Sequence, residues 1–398
     1  MTTAQPEHLE HPHLRPIQPI PVTQESTQLI LLRDPLMLAE QATAVPPPAM
    51  QALQLCDGQH SIDSIASGVQ QNRDVIEKLI LQLDSHGLLW GPGFKELETK
   101  KMQTLKDAGA FPVRGTTPMG TDVDAIQKQF ALWLDETEDP EIDFEPTMLF
   151  LPQLEYPHTW PIFAACWHAL QSAPAPDRII VFSNNAHGIG DGIVLTRLGF
   201  ETPLGRMQPD TELIESLAAA CGERVFADEL DHIANIGIEM QLPWIQQRWG
   251  DVPVTGVLVP DPIDGLIESD ELRIDRPAFT GMLRDCLATL GGRTLFIASG
   301  DLSHVGPQYG EPRPIDDQRR FDVERNDRDL LGHIMSGDVE AFLSAISWTK
   351  NPTRWSGAGV LAALLETCRP QQVELIDYRQ ATNPQNTALV SCGGLAMA

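Results

Sequence analysis

The hydrophobic pattern changes character along the chain. From residue 146 onward, short continuous apolar runs stand at Met148-Leu149-Phe150-Leu151, Arg178-Ile179-Ile180-Val181-Phe182, residues 254–259 and Thr294-Leu295-Phe296-Ile297-Ala298. Between and after them lie stretches of helical period at residues 160–173, 210–220, 239–249, 317–335, 339–346 and 357–367. Late strands are expected at 375–379 and 388–391. Runs that are apolar at every position suit strands covered on both faces. Their alternation with helices predicts a large α/β sandwich with a mostly parallel sheet.

The first quarter reads differently. Gln28-Leu29-Ile30-Leu31-Leu32 predicts a strand closed by Asp34-Pro35. Pro46-Pro47-Pro48 opens a helix expected to stop at Asp57-Gly58, with Gly58 just past its end. Ile62, Ile65, Ala66 and Val69 form one apolar stripe, and Ile76, Leu79, Ile80 and Leu83 another. Ser61 and Asn72 are placed to cap these two helices, and Gly87 to end the second. Leu88-Leu89-Trp90 returns as a strand. Residues 28–95 are thus expected to be a small N-terminal winged-helix-like α+β domain. Residues 1–27, with His8, His11 and His13 among prolines and glutamines, are expected to be a flexible leader. Residues 96–145 are expected to be a linker whose acidic run, from Asp135 to Glu145, is solvated rather than a ligand cluster. The large domain then spans 146–398.

Composition narrows the partners. Of 398 residues, 42% are apolar and 21% charged, which excludes a wholly disordered chain. Asp and Glu number 55 against 28 Lys and Arg, a net charge of −27. Such a chain repels phosphate backbones and anionic lipid, so neither nucleic acid nor membrane is an expected partner. No apolar run reaches the roughly 18–20 residues that cross a bilayer. The N-terminal residues carry no basic-then-apolar signal pattern. The six cysteines are far apart and form no CxxC, so free buried thiols and a cytoplasmic location are expected.

Ligands of open α/β sheets bind beyond the carboxyl ends of the strands. That selects three loops: residues 152–158, with Gln153, Glu155, Tyr156 and His158; residues 183–190, with Asn185, Ala186 and His187; and residues 298–304, with Asp301, Ser303 and His304. Asp301 and His304, spaced i, i+3, are the candidate catalytic pair for general acid/base work. The competing reading has Asp301 capping a turn while His304 packs. No G-x-S-x-G elbow is present. Glu239 reads as a buried polar anchor, and Glu201-Thr202-Pro203-Leu204-Gly205 as a turn at the cleft rim.

These loops carry a resemblance. Leu151-Pro152-Gln153-Leu154-Glu155-Tyr156, Ser183-Asn184-Asn185-Ala186-His187-Gly188-Ile189-Gly190, Phe200-Glu201-Thr202-Pro203-Leu204-Gly205, Asn235-Ile236-Gly237-Ile238-Glu239-Met240-Gln241-Leu242-Pro243, Ser299-Gly300-Asp301-Leu302-Ser303-His304 and Ser356-Gly357 follow in order the motifs of the Memo family. That family is also known as protein B of the AmmeMemoRadiSam system and shares its fold with class III extradiol dioxygenases. The resemblance implies a metal pocket built from the His of the first motif, the first His of the second and a late Cys. Here those positions hold Gln153, Ala186 and Ser356, and the fourth-motif His is Ile236, while Asp301 and His304 remain. A transition metal needs imidazole, thiolate or carboxylate ligands. The expectation is therefore no metal at the family site and no cofactor. The alternative is iron or another transition metal in a rearranged site using His187, His304 and Asp301.

More weakly, Leu32-Arg33-Asp34-Pro35 and residues 55–65, with Leu55-Cys56-Asp57-Gly58, resemble a PqqD-type domain. That resemblance implies recruitment of a peptide or protein partner by strand addition, with a radical-SAM or modifying enzyme as the kind of partner it suggests. Two functional readings result. One is a pseudoenzyme, a non-catalytic binding or accessory protein with a degenerate metal pocket. The other is an enzyme: a non-haem metal-dependent oxidase or dioxygenase with a rearranged site, or a metal-free acid/base catalyst centred on His304. Gln153, Tyr156, His158, Asn185, Ala186, His187, Ser303 and Ser356 are expected to line the cleft.

Overall fold

A computed structural model describes residues 6–24, 27–39, 42–186, 188–261 and 269–398. The chain divides into two compact units, one running to Gly109 and the other beginning at Ala110.

In the first unit, α1 (Glu7–Glu10) leads into β1 (Gln18–Gln24), β2 (Thr27–Arg33) and β3 (Thr43–Val45), an antiparallel sheet in the order β1-β2-β3. The helices α2 (Ala49–Gln54), α3 (Ile62–Gly68), α4 (Arg73–Ser85) and α5 (Pro92–Ala108) follow. The predicted stripes are buried: Ile62, Ile65, Ile76, Ile80 and Leu83 pack with Leu32, Val45 and Leu53 in one core. Ser61 caps α3 by accepting from Ser64 N at 3.2 Å, and Asn72 caps α4 by accepting from Asp74 N at 3.1 Å. Each such cap contributes about 1 kcal/mol.

Three expectations need correction here. The leader is not loose over its described part. β1 pairs with β2 along its whole length, Leu9 is buried, and the buried Arg15 guanidinium lies 3.2 Å from Asp34 and 4.3 Å from the centre of the Phe94 ring. An arginine on an apolar ring with a carboxylate partner gains packing as well as charge pairing, which a sequence count of prolines does not register. Residues 88–90 do not join the sheet. They pair with the leader instead, through Arg15 N to Leu88 O and Trp90 N to His13 O, both at 2.9 Å. Gly58 does not end α2, which stops at Gln54; it takes φ +80° where its N–H meets Pro12 O at 2.9 Å.

The second unit begins with β4 (Ala110–Phe111) and α6 (Val123–Asp135). The expected linker of residues 96–145 is therefore largely helical, carrying most of α5 and all of α6. Ile126 and Phe130, four apart, bury one face of α6, a period hidden by the polar residues around them. The rest runs β5 (Met148–Leu151), α7 (Tyr156–His168), β6 (Arg178–Asn184), β7 (Val194–Leu195), β8 (Gly199–Thr202), β9 (Gly205–Met207), α8 (Thr211–Cys221), α9 (Gly237–Trp249), β10 (Val254–Val259), α10 (Arg276–Leu290), β11 (Thr294–Ser299), β12 (His304–Val305), α11 (Asp317–Met335), α12 (Val339–Thr349), α13 (Ala358–Cys368), β13 (Val373–Thr382) and β14 (Leu389–Met397).

The main sheet has the order β12-β14-β5-β11-β6-β10-β7, with β13 beside β14. It is mixed rather than mostly parallel. The central pairings β5–β11, β11–β6 and β6–β10 are parallel, while β14, β12, β13 and β7 pair antiparallel towards the edges. β5, β6, β10 and β14 are buried at every position, as their apolar runs require. Because β5, β11 and β6 are parallel neighbours, the loops that follow them leave from the same end of the sheet. Among the described residues no helix is long and apolar enough to cross a membrane.

Candidate functional site at the strand ends

The last residues of the three central strands carry a polar network. Ser299 Oγ donates to Gly237 O at 2.8 Å and accepts from Gln241 Nε2 at 2.9 Å. Gln241 Nε2 also reaches Pro152 O at 2.9 Å, so one side chain of α9 ties the ends of β5 and β11. Asn235 donates to Ser183 Oγ at 3.0 Å and Asn184 O at 2.8 Å, adding the end of β6. Gly237 sits in the middle. A Cβ there would fall deep inside contact distance of Ser183 Oγ, 3.0 Å from Ser299 Oγ and 3.1 Å from Gln153 Oε1. Glycine is required because the first turn of α9 presses against three polar side chains at once.

Asp301 is 3% exposed and holds the first and third loops together. Its Oδ1 accepts from Gln153 N at 3.1 Å, Leu154 N at 3.2 Å and Cys392 Sγ at 3.4 Å. Burial pushes its carboxyl above the ordinary range; the nearby His304 and these three donors pull it partly back. The Cys392 thiol is driven well up by burial and by the Asp301 charge, so it stays protonated. Ser356 stands on the other side of Asp301. Its Oγ donates to Asp301 O at 3.1 Å and accepts from Asp301 N at 3.3 Å, and Gly357 N donates to Asp301 O at 2.7 Å. That approach needs Gly300, whose Cβ would lie 2.7 Å from Gly357 Cα.

His304 faces away from the role predicted for it. Its Nδ1 lies 3.1 Å from Arg354 O and 3.3 Å from Leu302 O, both acceptors, which fixes the proton on Nδ1. Its ring meets Tyr309 edge-on at 5.4 Å. Among the described residues Asp301 makes no hydrogen bond to His304. The pair shares a neighbourhood but not a proton.

The other predicted residues divide. Gln153 and Ser356 join the Asp301 cluster. Asn185 turns to Asp231 Oδ2 at 2.8 Å and Gly190 O at 3.0 Å, ordering its own loop. Ala186 and His158 are exposed. Tyr156 is buried, its hydroxyl donating to Met240 O at 2.5 Å. His187 lies outside the described residues. Ser303 belongs to a junction the sequence reading missed. The wholly buried Asp327 carboxylate accepts from Ser303 Oγ at 2.5 Å, Trp355 Nε1 at 2.6 Å, Ser391 Oγ at 2.5 Å and Tyr378 OH at 2.8 Å. It braces the segments that carry Asp301, His304 and Ser356. A signal was available: Val323, Asp327, Leu331 and Ile334 are the buried residues of α11, so an acid interrupts an apolar stripe. Glu239 is the polar anchor expected. It is buried, and it accepts from Arg114 N at 2.9 Å, Gly115 N at 3.0 Å, Thr116 N at 2.9 Å and the Thr116 hydroxyl.

The donor set does not suit a transition metal at the family positions. An amide, a methyl and a hydroxyl stand there, and the hydroxyl of Ser356 is already engaged by the Asp301 backbone. Among the described residues no three His, Cys, Asp or Glu side chains are grouped where they could hold a metal ion.

Comparison with known proteins agrees with the motifs. The profile of the Memo-like protein family matches residues 120–396. A MEMO1 family protein of Thermus thermophilus is 25% identical over 253 residues, covering 64% of this chain and 72% of its own length. One from Methanococcoides burtonii is 26% identical, covering 57% and 77%. One from Methanosarcina acetivorans is 29% identical, covering 53% and 71%. The crystal structure of an uncharacterized protein from Escherichia coli K12 aligns at 14% identity over 63% of this chain and 98% of its own, with a TM-score of 0.29, too low to carry an argument.

Proposed function

The chain belongs to the Memo family, and from that premise we propose that it is a non-catalytic binding or accessory member of it. The observation that carries this reading is the commitment of the polar groups at the strand ends to one another. Asp301 Oδ1 takes three protein donors, and the Ser356 hydroxyl is spent on the Asp301 backbone. A general base needs a lone pair within reach of a substrate proton, and a metal needs free anionic or imidazole donors. His304 Nδ1–H is held by two backbone carbonyls and not by Asp301. These neutral acceptors orient the ring, but a metal-free acid/base role for His304 lacks the carboxylate partner that would stabilise its imidazolium. Soaking crystals in iron(II), copper(II) or zinc(II) tests the reading. The expected anomalous map has no peak between Gln153, Ala186 and Ser356; a peak there overturns it.

The first unit supplies the recruiting surface in this reading. Its sheet has two edges. β1 carries Pro19 and Pro21, which have no N–H to offer a further strand, so that edge is blunted. β3 has no proline, and its outer side is unpaired among the described residues. A peptide or protein partner, in the manner of the PqqD-type domains this unit resembles, would add at β3. Ala44→Pro in the full chain is the test. A partner held by the wild type should be lost with helical content unchanged; equal retention by both proteins refutes recruitment at that edge.

A further inference from the structure

Beside the Asp301 cluster lies a second feature that the reading above does not use. α6, the first turns of α7 and the loop around Met119 enclose a cleft of about 760 Å³. Its walls include Trp133, Tyr156 and Trp160. The Trp133 and Trp160 rings lie 5.9 Å apart at an interplanar angle of 9°, and Tyr156 meets Trp133 at 5.7 Å. Both tryptophans are half-buried, so part of this aromatic surface faces the open cleft. Behind Trp133, Trp244 stacks at 6.1 Å and Phe130 packs edge-on at 5.4 Å, so its indole is held by a wall of rings. Glu155 is the one formal charge among the residues lining the cleft. Its exposed carboxylate enters no ion pair or hydrogen bond among the described residues.

We infer that this cleft binds a small organic cation with apolar substituents, such as a substituted ammonium. Aromatic faces attract a cation through the ring quadrupole, and they also bury its carbon groups. An unpaired carboxylate at the same wall supplies the counter-charge without having to break a partner. The net charge of −27 draws cations to the protein and repels anions. The volume is that of a site for a small molecule. A neutral apolar ligand would gain the burial but neither the attraction of Glu155 nor that of the ring faces, which makes charge the selecting feature.

The test compares choline, its uncharged isostere 3,3-dimethylbutan-1-ol and benzyltrimethylammonium on the full chain, read by tryptophan fluorescence. Saturable quenching by both cations is expected, with benzyltrimethylammonium the tighter, and the alcohol at least about tenfold weaker than choline. Glu155→Gln, a change at an exposed position, should erase most of the preference for choline while the protein melts as the wild type does. Trp160→Ala should weaken both cations. Equal binding of choline and the alcohol overturns the inference, and an unchanged preference in Glu155→Gln overturns the role given to Glu155, leaving the effect to the rings or the overall charge. No saturation by either cation up to 50 mM, roughly the weakest affinity such contacts would leave, also overturns it.

Discussion

Replacing Asp327 by Ala removes the acceptor of four donors at once, three of them buried and Tyr378 half-buried. Each orphaned buried donor costs about 1–3 kcal/mol. Three of the four are hydroxyls that can turn towards another oxygen, and Tyr378 OH keeps its bond from Gln380 Nε2 at 3.0 Å. The Trp355 indole N–H cannot turn. Taking the low end for the hydroxyls and the middle for the indole gives a loss of about 5 kcal/mol. In a folding unit of this size, with an unfolding entropy of about 0.6 kcal/mol/K, that lowers Tm by about 8 °C. Asp327→Asn behaves differently. The amide oxygen can replace Oδ1 for Ser303 and Trp355, and the amide nitrogen can donate to the oxygens of Ser391 and Tyr378. Its cost is expected to stay within about 1–2 kcal/mol. Far-UV circular dichroism melts and urea titrations of the three proteins measure the difference. An Asp327→Ala protein within about 1 kcal/mol of wild type would refute the junction. An Asn variant as damaged as the Ala variant would show that charge, not hydrogen-bond satisfaction, holds it.

Other outcomes follow from the same geometry. Gly237→Ala should cost about 1–3 kcal/mol by overpacking against Ser183, Ser299 and Gln153, and an unshifted melt would remove the close approach from the account. Glu239→Gln should loosen residues 114–116, seen as faster limited proteolysis there; identical cleavage patterns would contradict the clamp. Asp301 and Asp327 both have carboxyls raised by burial, so the folded protein keeps those protons to higher pH than the unfolded chain does. Their contribution is fully present below the ordinary carboxylate range and is lost as pH rises through the raised folded values. The stability gap between wild type and Asp327→Asn should therefore narrow as pH rises from about 4 to 7; a gap that widens would reverse the assignment.

The α/β architecture was legible because fully buried strands leave continuous apolar runs, and β10 and α11 fall on the residues the pattern marked. The convergence of the loops after β5, β6 and β11 was legible too, since parallel neighbours release their loops at one end. Less visible were the features made by single long-range contacts. Arg15 on Phe94 orders a leader that looks loose by composition, and α6 buries only a narrow stripe beneath a polar surface. The antiparallel pairing of β14 leaves no mark in a strand buried on every position. Within the site, the sequence pointed to Asp301, Ser356 and Gln153, and left Asp301 either paired with His304 or capping a turn. The structure gives its carboxylate to backbone N–H groups and a thiol instead, partners that residue types cannot announce.

The central claim is that the strand-end groups of this Memo-family chain are spent on one another rather than kept for a metal. The direct measurement is the metal content of the protein after anaerobic purification and reconstitution with iron(II), copper(II) or zinc(II), with the His304→Ala and His187→Ala variants alongside. The account predicts well below one tenth of an equivalent, roughly the level of loose surface binding, and no difference among the three proteins. Near-stoichiometric metal that is lost in both variants would contradict it.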